Sequence, residues 1–301
     1  MKEKISRKEF LKMAAIGGLS LPGLSFLKNT SLSSGAKALI ENVGVQLYTV
    51  RDILAKSPEA TLKVIADIGY KQLETVGVDI LQKHGKYIKD LGMKVSSAHI
   101  PFESILDEKK SPMSFPEIVK IAHEHGLSYL VLPYVPDSAR GGVKAFQELG
   151  TKLNSAGSTA RNAGITFCYH NHAFDFQPIG HTTPIQIILD NTDPILLKLE
   201  TDVFWVSVAG VDPVDFIRKH KNRVELLHLK DEKAGLKPRY NQDVPHNAFK
   251  ALGKGTLDFK SIIETGADVG VTHCYVEQDY TPGNPLISLR ESYRYLQSLK
   301  A

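Results

Sequence analysis

From residue 43 to the end of the 301-residue chain, short apolar runs alternate with longer stretches whose apolar positions recur at helical spacing. Residues 43–50, 72–76, 95–100, 129–133, 165–170, 195–202, 224–230 and 274–279 read as strands. Helices are predicted at 58–68, 80–91, 115–125, 143–163, 184–189, 213–220, 259–267 and 285–299. Ser57 and Asp258 serve as caps and Gly126 as a stop. Eight strands in unbroken alternation with helices predict a parallel sheet, and their length fits an α/β fold of one closed (β/α)8 TIM barrel better than an open doubly wound sheet. The first βα turn, Tyr48-Thr49-Val50-Arg51-Asp52, lacks a glycine-rich dinucleotide fingerprint. Only the segment 232–257 is too long for a simple connection. It follows strand seven, on the face where barrels build their sites, and is expected to form a lid.

The strand ends carry the chemistry. Cys168, His170 and His172 share one side of strand five, and two imidazoles there are costly to bury unless ligated or hydrogen-bonded. Glu200 and Asp202, His228 and Lys230, and Glu277 and Asp279 repeat this two-residue spacing at strands six, seven and eight; Glu74 and His99 mark strands two and three. Taken singly, each reads as a hydrogen-bonded structural residue, and Glu200 or Asp202 could pair with Lys198, Arg218 or Lys230. Together they predict like charges converging on the barrel mouth, a conflict that a divalent cation removes. A mixed carboxylate and imidazole shell suits Mn, Co, Zn or Fe better than calcium. Trp205 reads as core or pocket wall. Gly253-Lys254-Gly255 reads as a turn, with backbone amides cradling an anion as the alternative.

Composition narrows the field modestly. Hydrophobic content of 42% and charged content of 23% suit a globular protein, and a dispersed net charge of +4 gives little support for a nucleic-acid partner. The two cysteines, Cys168 and Cys274, fall in apolar runs and read as buried free thiols. Residues 1–38 are a separate matter: Ser6-Arg7-Lys8-Glu9-Phe10-Leu11-Lys12, an apolar run over 13–27 and Ala36-Lys37-Ala38 have the order of a cleavable export signal. The basic stretch resembles the twin-arginine motif with Lys8 in place of the second arginine, so a periplasmic or otherwise exported protein is expected. The run is too short and too interrupted by Gly17, Gly18, Pro22 and Gly23 for a membrane span.

Six motifs in order carry a family resemblance. They are Gly44-Val45-Gln46-Leu47-Tyr48, Tyr169-His170-Asn171-His172, Leu199-Glu200-Thr201-Asp202-Val203-Phe204-Trp205, Ala209-Gly210-Val211-Asp212-Pro213, Leu227-His228-Leu229-Lys230-Asp231 and Tyr275-Val276-Glu277-Gln278-Asp279. On these, residues 43–301 resemble the xylose isomerase-like barrels, the sugar phosphate isomerase/epimerase superfamily that also holds inosose dehydratases and endonuclease IV. The resemblance implies one divalent metal ion (Mn, Co or Zn) held by Asp202, His228, Glu277 and, where relatives usually carry a glutamate, His170. It also implies a small-molecule sugar or keto-sugar that loses a proton next to its carbonyl. Glu277 is the first candidate base, with Glu200, His172, Lys230 or His99 returning or relaying the proton; Glu74, His99 and Trp205 are expected to touch substrate. Two departures stand out: His170 removes one of the paired glutamates of the family's epimerases, and Trp205 replaces a histidine found in many relatives. Isomerisation or epimerisation leads the expectation. Metal-assisted β-elimination, as in the inosose dehydratases, is the alternative, and a non-catalytic sugar-binding barrel ranks third. An endonuclease IV-type site needs more His and Glu ligands than this chain places. The reading is compatible with an oligomer.

Overall fold

The structure, a computed structural model, describes residues 31–300. Most of the segment read as an export signal lies outside the described residues. Ten strands follow in chain order: β1 (Gly44–Gln46), β2 (Gln72–Val76), β3 (Lys94–His99), β4 (Tyr129–Leu132), β5 (Thr166–His170), β6 (Lys198–Asp202), β7 (Val224–Leu229), β8 (Asp231–Glu232), β9 (Phe249–Lys250) and β10 (His273–Val276). Eight of them close a parallel barrel in the order β1-β10-β7-β6-β5-β4-β3-β2, while β8 and β9 pair antiparallel outside it. Helices join the barrel strands, among them Pro58–Ile68, Phe115–Glu124, Gly142–Asn162 and Phe259–Val269, and the helix Pro285–Ser298 follows the last strand.

The two-residue strand period divides the core. One set of side chains, including Leu73, Leu130, Phe167, Leu199 and Leu227, packs outward under the helices. Tyr129, Val131, Cys168, Leu226 and Tyr275 form a separate apolar cluster. Cys168, Leu226 and Tyr275 each stand two residues before an ionisable group (His170, His228, Glu277), so this cluster is the floor on which the polar layer rests. Gly44 makes room for it: a Cβ there would lie 2.5 Å from Cδ1 of Tyr275. Both cysteines are free and buried.

Several sequence boundaries shift. The first strand, expected to run over 43–50, stops at Gln46, because the Gln46 side chain accepts the Tyr48 N–H and turns the chain into a 3-10 helix, Leu47–Val50. The last strand stops at Val276, so Glu277 and Asp279 lie on the loop beyond it. Asp202 caps a helix that the pattern did not reveal, Val203–Val208, by accepting the Trp205 N–H. The expected signal end, Ala36-Lys37-Ala38, falls inside the helix Ser34–Glu41. Ala36, Leu39 and Ile40 of that helix are buried, and the Ser33 N–H ahead of it reaches Glu264 at 2.8 Å.

Candidate active site and metal centre

The motif Tyr169-His170-Asn171-His172 sends its four side chains to four places. Tyr169 faces outward and donates to Asp175 at 2.7 Å, while Asp175 also accepts the His172 N–H at 2.8 Å. Asn171 stitches β5 to β6: its Oδ1 accepts the Asp202 N–H and its Nδ2 donates to the Asp202 carbonyl, at 3.1 and 3.3 Å. That leaves His170 directed into the barrel and His172 at the cavity wall.

In the barrel the ionisable residues form two layers. In the lower one, Glu200 Oε2 lies 3.0 Å from His99 Nε2, 3.0 Å from His170 Nδ1 and 3.2 Å from His228 Nε2. Glu74 Oε2 lies 2.5 Å from His228 Nε2 and 3.1 Å from His99 Nε2, and it also accepts from Gln46 at 2.7 Å. Register shifts at Leu73/Glu74 and Leu199/Glu200 place a bulge beside each of these glutamates. In the upper layer, His170 Nε2 is 3.6 Å from Asp202 Oδ2 and His228 Nδ1 is 2.9 Å from Glu277 Oε2. The Lys230 ammonium lies 2.9 Å from Asp202, 2.8 Å from Glu277 and 2.6 Å from Asp279.

Burial sets the protonation of these groups against their neighbours. It disfavours charge on His99, yet Glu74 and Glu200 raise that ring to about 9. For His228 burial is likewise outweighed, by Glu200, Glu74 and Glu277, and the ring is held well above its usual range. His170 and His172 go the other way: burial, then His228 for His170 and Lys230 for His172, keep both neutral. Burial would raise Glu277, but Lys230 and His228 hold it below the usual carboxylate range. Burial raises Asp202, and raises Asp279 to about 6 despite Lys230.

Among the described residues two overlapping groups of side chains have ligand geometry: His99, His170, Glu200 and His228 below, and His170, Asp202, His228 and Glu277 above. The upper group contains the four residues expected as ligands. Its fit to a divalent ion rests on more than proximity. Asp202 Oδ2 is buried with ionic contacts only, and Glu200 Oε1 is buried with no hydrogen-bond partner among the described residues. Both imidazoles of the upper group are oriented from behind by buried glutamates, the arrangement that fixes metal-binding tautomers.

Above this layer opens a cavity of about 760 Å³. His99, His170, His172, Lys230, Glu277 and Asp279 form its inner wall, and Tyr48, Arg51, Tyr134, Trp205, His246 and Tyr280 its outer part. Of the expected site residues, four do not reach this wall: the expected ligands Asp202 and His228, buried behind it, and the glutamates Glu74 and Glu200. Both glutamates are fully buried beneath it, Glu74 against His228 and His99 and Glu200 against three rings. Asp279, which the sequence places at the barrel mouth by its two-residue spacing from Glu277 but to which it assigns no role, stands against Lys230 at the cavity wall. Of the outer residues Trp205 is the one expected to touch substrate; Arg51, Tyr134, His246 and Tyr280 carry no sequence signal, because they come from segments distant in the chain.

The expected lid is clamped at both ends. Asp231 accepts N–H bonds from Glu232, Gly253, Gly255 and Leu257 at 2.8, 2.9, 2.8 and 3.2 Å. The Gly253 and Gly255 amides do cradle an anion, this carboxylate of the chain itself, while the Lys254 N–H turns away to the Ala251 carbonyl.

Comparison with known proteins agrees with this architecture. Residues 62–299 match the family model described as xylose isomerase-like TIM barrel. An inosose dehydratase of Clostridium tetani is 29% identical over 166 residues, 52% of this chain and 55% of that protein. One from Geobacillus thermodenitrificans is 28% identical over 155 residues, 48% and 51% of the two chains. The chain therefore spans about half the length of the curated relatives it matches. Among solved structures, a sugar phosphate isomerase/epimerase from Parabacteroides distasonis superposes with a TM-score of 0.70 at 24% identity, covering 85% of this chain and 93% of that one. An IOLI protein with a bound zinc atom gives 0.65 at 11% identity, covering 86% and 98%. At these identities the superpositions show the fold alone. With a closed eightfold barrel and a family match across most of its length, the chain belongs to the xylose isomerase-like TIM barrel family.

Proposed function

We propose that this protein is a divalent-metal-assisted enzyme that removes a proton next to a carbonyl of a sugar or keto-sugar and returns it, as an isomerase or epimerase. One observation carries the reading. His170 and His228 each turn one ring nitrogen to a buried supporting glutamate and the other to the carboxylates of Asp202 and Glu277. Such doubly held imidazoles, His170 at the wall of a sugar-sized cavity and His228 buried just behind it, are what a catalytic metal shell requires. The zinc in a structural relative supports a divalent ion, with Mn, Co and Zn all suited to these ligands.

His170, Asp202, His228 and Glu277 would hold the ion, which when bound supplies Lewis-acid polarisation of the substrate's oxygens. The chain's own residues do the rest. Glu277, kept ionised by Lys230 and His228 and facing the cavity, accepts the proton. His99, also at the wall and kept protonated by Glu74 and Glu200, donates one back. The aromatic rim of Tyr48, Tyr134, Trp205 and Tyr280 screens the site from water.

A second reading, loss of water from a keto-sugar, has its own support. His170 leaves the cavity with Glu277 as its one glutamate, and the curated relatives cited are inosose dehydratases. Here the proton accepted by Glu277 is followed by departure of a β-hydroxyl, protonated by His99 to water. The residue 1–38 pattern supports an exported enzyme, and with it an unphosphorylated substrate, which fractionation of the producing cell checks directly.

The deciding experiment incubates aldoses, ketoses and keto-sugars with the protein and Mn, Co or Zn, and reads products by mass spectrometry and ultraviolet absorbance. Isobaric products identify isomerisation or epimerisation. Loss of one water with new absorbance identifies elimination, and binding without turnover identifies a sugar-binding barrel. Equal turnover by chelator-treated and metal-loaded protein would sink the metal-assisted mechanism.

A further inference from the structure

Lys230 follows β7 directly and is 1% exposed, an unusual burial for an ammonium. Its Nζ lies 2.9 Å from Asp202 Oδ2 and 2.8 Å from Glu277 Oε2, the same oxygens that face His170 Nε2 and His228 Nδ1. A dication bonded to a carboxylate oxygen sits about 2.0–2.2 Å from it. An ion shared by these two oxygens would therefore be nearly in contact with the ammonium, where repulsion in a low-dielectric interior far exceeds thermal energy. The two cations exclude one another.

Lys230 also has somewhere to go. Its third carboxylate, Asp279, is not part of either ligand group and has 24% of its side chain exposed at the cavity wall. The face of Trp205 lies 5.7 Å from Nζ and offers a second seat for an ammonium. A flexible four-carbon stem lets the head group move between such seats while its root stays fixed.

We infer that Lys230 is an internal cation that competes with the metal for Asp202 and Glu277, and that metal loading transfers its ammonium to Asp279 and the Trp205 face, into the cavity. Loading the ion and presenting a positive charge to the substrate's oxygens are then one event, and Lys230 is a positioning residue whose place the metal sets. The inference rests on the metal-assisted reading of the same site.

The test titrates chelator-treated wild type, Lys230→Met, and the Lys230→Met/Asp279→Asn double variant with Co(II), by calorimetry and by the visible absorption of bound cobalt. The double variant guards against misfolding of the single one, since it removes one of the carboxylates left uncompensated. In parallel, acylation of Lys230 in wild type is mapped by peptide mass with and without cobalt. The expected result is at least tenfold tighter cobalt binding in the Met variants and faster acylation of Lys230 in the loaded wild type. Unchanged affinity, or acylation indifferent to cobalt, overturns the inference while leaving the metal reading intact. Loss of cobalt binding in His99→Ala, with Lys230→Met unchanged, would move the ion to the lower group and also overturn it. No cobalt bound by any chain sinks the metal reading itself, and the inference with it.

Discussion

At the scale of single residues, the same side-chain types take opposite roles according to depth. Glu74 and Glu200 lie within their strands and Glu277 just past one, and only Glu277 meets the cavity. Glu277→Gln is expected to lower turnover by about 10²–10⁴-fold, with circular dichroism unchanged; near-wild-type turnover would remove it as the base. Asp175 offers a cleaner electrostatic test, since it belongs to neither ligand group. Burial, only partly offset by hydrogen bonds from the His172 N–H and the Tyr169 hydroxyl, raises its carboxyl to about 7. A carboxyl raised on folding contributes stability that is fully present below the unfolded value, about 3.9, and is lost as pH rises through the folded value. The melting temperature of wild type should therefore fall, relative to Asp175→Asn, between about pH 4 and pH 7. Parallel curves for the two proteins would count against the burial argument.

At the scale of elements, β8 and β9 with the Asp231 carboxylate turn the long segment after β7 into a fixed wall bearing Val244, His246 and Phe249. A Cβ on Gly255 would fall 2.2 Å from the Glu232 carbonyl oxygen and 2.3 Å from Asp231 Oδ1, so Gly255→Ala cannot keep this clamp. Asp231→Ala leaves its donors unpaired at roughly 1–3 kcal/mol for each one that stays buried. Either variant should be cut faster by protease between residues 233 and 248, and should lose substrate affinity more than metal affinity. Uniform resistance to protease would show that the wall is held by something else. The helix Ser34–Glu41 makes a similar point about boundaries. Removing the chain through residue 41 exposes the surface that Leu39 and Ile40 cover, worth roughly 1.5–3 kcal/mol for each side chain. Melting of that truncation is expected several degrees below a chain starting at Leu32.

At the scale of the molecule, the barrel concentrates Glu74, Glu200, Asp202, Glu277 and Asp279 at one end, with Lys230 as the permanent cation among them. A bound divalent ion should stabilise the whole fold by about 2.7 kcal/mol at a concentration a hundred times its dissociation constant, and chelation should reverse it; a melting temperature indifferent to Mn, Co and Zn would argue against the site. Much of this was legible in the chain. Alternating apolar runs specified eight strands and their parallel closure, because a strand buried on both faces and a helix buried on one leave different periodicities. The two-residue spacing of His170/His172, Glu200/Asp202, His228/Lys230 and Glu277/Asp279 placed the chemistry at one end, since side chains alternate along a strand. Depth was not legible: bulges beside Glu74 and Glu200 set their level, and register depends on neighbouring strands. Nor was the partner of the Gly253 and Gly255 amides, because Asp231 lies more than twenty residues away and only folding brings its charge to them. The sequence alone determined which groups meet at the barrel mouth. Tertiary structure decided which of them face the cavity, which stand behind, and which cations compete for the same oxygens, because those outcomes depend on distances of a few ångströms between residues far apart in the chain.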